Sequence, residues 1–196
     1  MRHAIFALFG TALLVGCATR TEVTTYDFSS RAGLYVLGYT TQEELRRAVE
    51  DRLVADIKAR DMVAFASYVD LPVLEQTSRS SLLAAANEKQ AIAILVVNQV
   101  TPGEDGVIDN PARITPEHPD LAAFYEYSKT VQRDYEPGSE VLAEVNAFLL
   151  QEDGARLIWS GTTWSFDADG QGSAISGISD NIANELSQMR DTLRAR

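Results

Sequence analysis

The fold is decided by residues 139–166, which read SEVLAEVNAFLLQEDGARLIWSGTTWSF. Two segments rich in aliphatic and aromatic residues flank Asp153-Gly154, a dipeptide that favours a tight turn, so the pattern predicts a long β-hairpin. If these two residues form the turn, Leu150 faces Leu157 and Phe148 faces Trp159 on one side of the hairpin. On this register the opposite side pairs Leu149 with Ile158, Val145 with Thr162, and Ala143 with Trp164.

The elements before the hairpin alternate between strand and helix patterns. We expect strands over residues 33–39 and 62–69, and a third over residues 91–100. The third is apolar on both parities from 91 to 97, which is typical of a central strand covered on both faces. Thr41 and Glu44 have the spacing of a capping box, and the helix they open should run to about Arg60.

The sequence predicts three helices in all, and their apolar stripes show which side of each should be buried. The first predicted helix, from Thr41 to about Arg60, has an apolar stripe with a period of four, and its charged residues Glu43, Arg46, Arg47, Glu50 and Asp51 should form a solvated face. A short second helix should begin at Ser80 or Ser81. A final helix, capped by Ser173 or Ser176, should pack on the sheet through its apolar stripe of Ile178, Ile182, Leu186, Met189 and Leu193.

Residues 102–138 contain five of the six prolines, four of them between Pro102 and Pro119 and the fifth at Pro137, and they carry three tyrosines. We interpret them as a long irregular excursion with a short ordered piece at 121–129. The sequence therefore predicts an α+β domain over residues 33–196. It should have a mixed sheet of about five strands, two main helices on one face, and this excursion before the C-terminal hairpin and helix.

Composition narrows the possible functions. The chain has 196 residues, is 45% hydrophobic and has a net charge of −11. Such an acidic protein would repel phosphates, so we expect no nucleic-acid partner. The only cysteine is Cys17, which excludes an intrachain disulfide.

The N-terminal sequence predicts where the protein is located in the cell. A short basic start precedes the apolar run AIFALFGTALLV at residues 4–15, which is too short to span a bilayer and fits a signal peptide. Leu14-Val15-Gly16-Cys17 resembles the lipobox of bacterial lipoproteins. The resemblance implies removal of residues 1–16, acylation of Cys17 as a bilayer anchor, and a tether over residues 17–32. Ala18 after the cysteine implies the outer membrane, facing the periplasm.

A second resemblance covers about residues 33–193. Leu157-Ile158-Trp159-Ser160-Gly161, followed by a helix, is similar to the Leu-Val-Trp-Ser-Gly motif of uncharacterised bacterial envelope lipoproteins. The element order is distantly similar to activator lipoproteins of penicillin-binding proteins and to the N-terminal domain of the Tol-system propeller protein. These resemblances imply a protein-binding module.

No residue pattern predicts catalysis. His118 is the one histidine left after cleavage, and no nucleophile elbow accompanies it. Glu144 interrupts an apolar strand, and we expect it to be partly exposed. Acidic glycine-containing turns at 103–109 and 167–170 lack the ligand spacing of an EF-hand. We therefore expect no enzyme activity, no cofactor and no metal site.

The candidate interaction face comprises Phe148, Leu150, Leu157 and Trp159, with Tyr125, Tyr127 and Tyr135 of the excursion as rim aromatics. Two alternatives stay open: the excursion covers this face as core, or the face binds a partner. The sequence favours a non-catalytic interaction or assembly module that contacts an envelope protein or a second copy. The alternative is a binder of small ligands or cell-wall fragments in a groove between sheet and excursion.

Overall fold

The computed structural model describes residues 33–40, 42–100, 121, 128, 140–152, 154–166 and 171–194. Their elements are β1 (Gly33–Tyr39), α1 (Glu43–Lys58), β2 (Val63–Ala66), two 3-10 turns (Ser67–Val69 and Leu74–Gln76), α2 (Arg79–Glu88), β3 (Ala91–Val100), β4 (Glu140–Gln151), β5 (Gly154–Phe166) and α3 (Gln171–Arg194). The predicted α+β class is confirmed, and β1 and β3 have the predicted bounds.

The five strands form one mixed sheet in the order β2-β1-β3-β4-β5. The first three strands in this order are parallel, and β3, β4 and β5 are antiparallel. The sheet therefore has a short edge of four residues at β2 and a long edge of 13 residues at β5.

Helices cover both faces of the sheet. On the first face, which we call the α1–α3 face, aliphatic side chains of β1 and β3 pack against Leu53 and Ile57 of α1 and against Ile178, Ile182 and Leu186 of α3. On the second, the α2 face, Tyr35, Ile94 and Phe148 pack with Leu82 of α2 and with Leu121. Leu121 belongs to the excursion, so at least this part of the excursion lies on the sheet.

Local signals placed several boundaries wrongly. The N-cap of α1 is Gln42, without a side-chain cap bond, and Thr41 lies outside the described residues. The second strand stops at Ala66 because the chain turns into a 3-10 helix at Ser67. Ser78 caps α2, in a capping box with Ser81. The final helix begins at Gln171, before either predicted serine.

The predicted hairpin is confirmed, but its register is wrong. Gln151 pairs with Gly154, so the turn includes Glu152, one residue earlier than predicted, and Asp153 itself lies outside the described residues. Ala147 pairs with Trp159, whereas Phe148 pairs with Leu157, which leaves Ile158 as the extra residue of a β-bulge. A bulge turns consecutive side chains to one face, so Ile158 and Trp159 both join the α1–α3 core.

Candidate functional site

The bulge divides the predicted interaction face between two sides of the sheet. Phe148, Leu150 and Leu157 lie on the α2 face, where Phe148 is fully buried and the two leucines are half-buried. Trp159 lies on the α1–α3 face and is 5% exposed. The sequence predicted these four residues on one face because side chains were assumed to alternate between the two faces along the whole of β5. Tyr125, Tyr127, Tyr135 and Cys17 lie outside the described residues.

Trp159 and Gly161 form a packing unit within β5. A Cβ atom built on Gly161 would lie 2.8 Å from Cζ2 and 2.9 Å from Cη2 of Trp159. The indole therefore lies along its own strand and occupies the space that a side chain at position 161 would need. This contact gives the Trp-Ser-Gly sequence a physical reason, since the glycine makes room for the ring two residues before it.

An open groove of about 330 Å³ runs between β5 and α3. Its sheet side is formed by Val145 of β4 and by Trp159, Gly161, Thr162 and Thr163 of β5. Its helix side carries the polar residues Asn181, Asn184, Glu185 and Gln188 together with the apolar Ile182. Asn181 Nδ2 donates to Thr163 Oγ1 at 3.0 Å, which ties the helix to the strand. The groove adjoins the long sheet edge, and the strand residues on its floor are largely buried, with Trp159 5% and Thr163 9% exposed.

The α2 face carries a buried polar cluster that the sequence did not predict. Asn98, Ser128, Glu144 and Asn146 are each 0–2% exposed. Asn98 and Glu144 are opposite each other on neighbouring strands, and Asn98 Nδ2 donates to Ser128 Oγ at 2.9 Å. The expectation of a partly exposed Glu144 is wrong, since Glu144 is 0% exposed and its neighbour Asn98 is bonded to Ser128 of the excursion.

The amide of Asn146 stands out in this cluster. Within the described part of the chain, its Nδ2 and Oδ1 atoms are both buried and have no hydrogen-bond partner. A buried polar atom without a partner costs about 1–3 kcal/mol, so such groups usually pair with water or a ligand.

A second buried polar network joins α1 to the sheet. Glu50 Oε1 accepts hydrogen bonds from Arg46 Nε at 2.9 Å, Ser67 Oγ at 2.8 Å and the Gly38 amide at 3.0 Å. Its Oε2 accepts from the Tyr68 amide at 2.9 Å. Arg46 and Glu50 are 1% and 0% exposed, so their assignment to a solvated face is wrong, whereas Glu43, Arg47 and Asp51 are exposed as predicted.

Burial dominates the protonation of this network. It raises the pKa of the Glu50 carboxyl above its ordinary value, against the opposing effects of the Arg46 guanidinium and the Tyr68 and Gly38 amides. Burial, with the nearby Asp70 carboxylate, also raises the pKa of the Tyr35 phenol. Tyr35 therefore stays protonated and donates to Asp70 Oδ2 at 3.2 Å. Every Glu50 oxygen faces protein donors, so this network holds structure together.

The described ranges contain neither a group of metal-ligating residues nor a helix that could cross a membrane. No cluster of three or more His, Cys, Asp or Glu residues could hold a metal ion there. None of the helices in the described part of the chain is long and apolar enough to cross a membrane. His118 and both acidic turns lie outside the described residues.

Comparisons with known proteins show only weak structural similarity. No family model and no curated protein matches the chain. Among solved structures, the chain is similar to a point variant of PelC from Paraburkholderia phytofirmans, solved as a dodecamer, with 14% identity, a TM-score of 0.42 and coverage of 85% of this chain and 95% of that one. A second PelC dodecamer from the same organism is 12% identical, with a TM-score of 0.40 and coverage of 82% of this chain and 92% of that one. Neither similarity supports an argument about function.

Proposed function

We propose that this protein is a non-catalytic contact module, held on the bacterial envelope by fatty chains on Cys17. The anchor is supported by the basic start, the short apolar run and the lipobox-like Leu14-Val15-Gly16-Cys17. Two or three acyl chains hold a protein stably on a bilayer where one does not. On this proposal the mature chain faces the periplasm, and its acidic domain contacts another envelope protein or a second copy.

The observation that carries the contact role is the position of β5 at one edge of the sheet. Both faces of the sheet carry packed helices, but within the described residues β5 pairs only with β4. A strand edge presents unpaired N–H and C=O groups, which bind another extended chain by main-chain hydrogen bonds. The 13-residue length of β5 and the adjoining groove make it the largest such surface in the described part of the chain.

Photo-crosslinking in cells tests this proposal. A photo-crosslinking amino acid in place of Thr162, at the middle of β5, should give protein adducts of defined mass. The same amino acid in place of Ala55, which is exposed on α1, is the matched control and should not. If the probe at position 162 captures no protein, the contact role of this edge is refuted.

The second candidate function, binding of a small polar ligand, is favoured by the Asn146 amide. Its two unpaired atoms are buried two residues along β4 from Glu144, and Glu144 lies opposite Asn98, which bonds to Ser128 of the excursion. A polar ligand between sheet and excursion would satisfy both atoms. Cell-wall fragments that raise the melting temperature of the natural protein, but not of an Asn146→Leu variant, would favour this function over the first.

A further inference from the structure

We infer that the groove between β5 and α3 takes an arginine side chain of a different envelope protein. The guanidinium group would lie between Asn181 and Glu185, and its methylene stem would lie on the apolar floor of the groove. The inference rests on the proposed function, because it gives the chemistry by which the contact module recognises its partner.

Two side chains on the helix side of the groove present hydrogen-bond acceptors that are available to a partner. Asn181 Nδ2 donates to Thr163 Oγ1 at 3.0 Å, which leaves Asn181 Oδ1 to accept. Glu185, four residues further along α3, is exposed and makes no hydrogen bond or ion pair with any described residue. Carboxylate and amide oxygens accept but do not donate, so a group bound between them must supply donors.

The other two polar residues on the helix side already have partners. Asn184 Oδ1 accepts from Arg60 Nε at 3.0 Å and from Arg60 Nη2 at 2.7 Å, and its Nδ2 donates to Asp180 Oδ2 at 3.2 Å. Gln188 also has a partner. The helix side therefore offers a new ligand the oxygens of Asn181 and Glu185.

Charge selects a cation for this position. Glu185 is the one charged residue among the described residues that line the groove. The nearby Arg60 guanidinium is paired with Asp180, with Nη2 and Oδ1 2.6 Å apart. Glu185 and the net charge of −11 repel an anionic ligand and attract a basic protein. A second copy of the chain carries the same negative charge, so a different protein is the favoured partner.

The floor of the groove suits the stem of an arginine. Val145, Trp159 and Ile182 provide apolar surface and are 1%, 5% and 2% exposed. Arginine buries its methylene stem on such surface while its head stays with polar groups. Residues four apart on a helix have Cβ atoms about 5–6 Å apart. The planar fork of guanidinium donors can therefore bond to Asn181 Oδ1 and to the Glu185 carboxylate together.

Peptide binding to the full chain, purified from membranes in detergent, tests the inference. The probe is acetyl-Gly-Arg-Gly-amide, and its control contains citrulline, which keeps the shape of arginine but has no charge. The chain has two tryptophans, so ¹⁵N labelling gives two indole signals, and Trp164→Phe identifies that of Trp159. We expect the arginine peptide to shift the Trp159 signal saturably and to bind about two- to fivefold more tightly than the citrulline peptide.

Variants with opposite effects on charge make this expectation specific. Glu185→Gln should weaken binding of the arginine peptide by about two- to fivefold, and Asn181→Asp should strengthen it by a similar factor. Glu44→Gln, at an exposed position on α1, is the matched control and should change nothing. Raising the NaCl concentration to about 0.5 M should weaken binding to the natural protein. Melting temperatures check that each variant folds.

Three results with the peptides would overturn the inference. They are an unshifted Trp159 signal, equal binding of the arginine and citrulline peptides, and an unchanged affinity in a folded Glu185→Gln variant. A Trp159 shift caused by N-acetylglucosamine and not by the arginine peptide would also overturn it, since the groove would then be a site for a neutral ligand.

Crosslinking in cells separates the inference from the proposed function. Adding Glu185→Lys should remove the protein adduct that the photo-crosslinker at position 162 forms, because the lysine repels an arginine and fills part of the groove. If the adduct persists, or joins only a second copy, the inference fails while the contact role stands. The contact role itself fails only if the photo-crosslinker at position 162 captures no protein when Glu185 is present.

Discussion

Replacing Trp159 and Gly161, singly and together, tests how the Trp-Ser-Gly sequence works. Trp159 is 5% exposed in the α1–α3 core, so Trp159→Ala should lower the free energy of unfolding by about 3–5 kcal/mol. Gly161→Ala would place a Cβ atom 2.8 Å from the indole, and the ring would have to move within a packed core. Such overpacking costs about 1–3 kcal/mol.

The double variant separates this contact from other effects. Without the indole, the new methyl group has space, so Gly161→Ala should be neutral or stabilise by up to about 1 kcal/mol through reduced freedom of the unfolded chain. The interaction free energy between the two positions should then be about 2 kcal/mol. Urea unfolding followed by circular dichroism measures all four proteins without depending on the tryptophan. If the two single-variant changes in unfolding free energy sum to that of the double variant within about 0.5 kcal/mol, the packing argument is refuted.

Two further predictions concern α1. Glu50→Ala should destabilise the protein by about 3–5 kcal/mol, because it leaves the buried Arg46 charge without its carboxylate. The control is Glu43→Ala, which breaks the exposed ion pair with Arg47 at the same sequence spacing. In the same urea assay this control should cost at most about 1 kcal/mol. A loss below about 1 kcal/mol for Glu50→Ala would contradict the network. Burial acts to raise the pKa of Asp56, but hydrogen bonds from Arg52 and Ser179 outweigh it and lower the pKa below its ordinary 3.8. Asp56 therefore stabilises the fold above that pH and loses its contribution as the pH falls further, so Asp56→Asn should reduce the acid sensitivity of unfolding measured between pH 2 and pH 7.

The hydrophobic pattern predicted the framework of the fold. β1 and β3 are continuous apolar runs, and their burial on both faces follows from that composition. The stripe of α3 was visible in Ile178, Ile182 and Leu186, which all contact the core. These signals are local, and β1, β3 and α3 are buried in the way that their own sequences predict.

The two errors at buried positions have long-range causes. Arg46 and Glu50 have the spacing of a surface ion pair, and they are buried only because the turn at Ser67 and Tyr68 packs on α1. The register of the hairpin depends on the bulge at Ile158, which shifts every pair beyond it. Gly161 after Trp159 was the one local sign that the ring needed space on its own strand.

The candidate site could be predicted only in part. The sequence pattern indicated the hairpin as the contact region, but it predicted that the contact surface is one face of the sheet. The face proved to be covered, in part by Leu121 of the excursion. Among the described strands β5 lies at one edge of the sheet, and an edge position depends on strand order, which no periodicity within β5 encodes.

The proposed function places the protein on a membrane through acyl chains on Cys17, so the mass of the mature chain is the most direct test of the proposal. Intact mass spectrometry of the protein purified from membranes should show a chain that begins at Cys17 and carries acyl chains. Cys17→Ser should remove the acyl mass and prevent cleavage at that site. A chain that still begins at Met1, or an unmodified Cys17, would contradict the account.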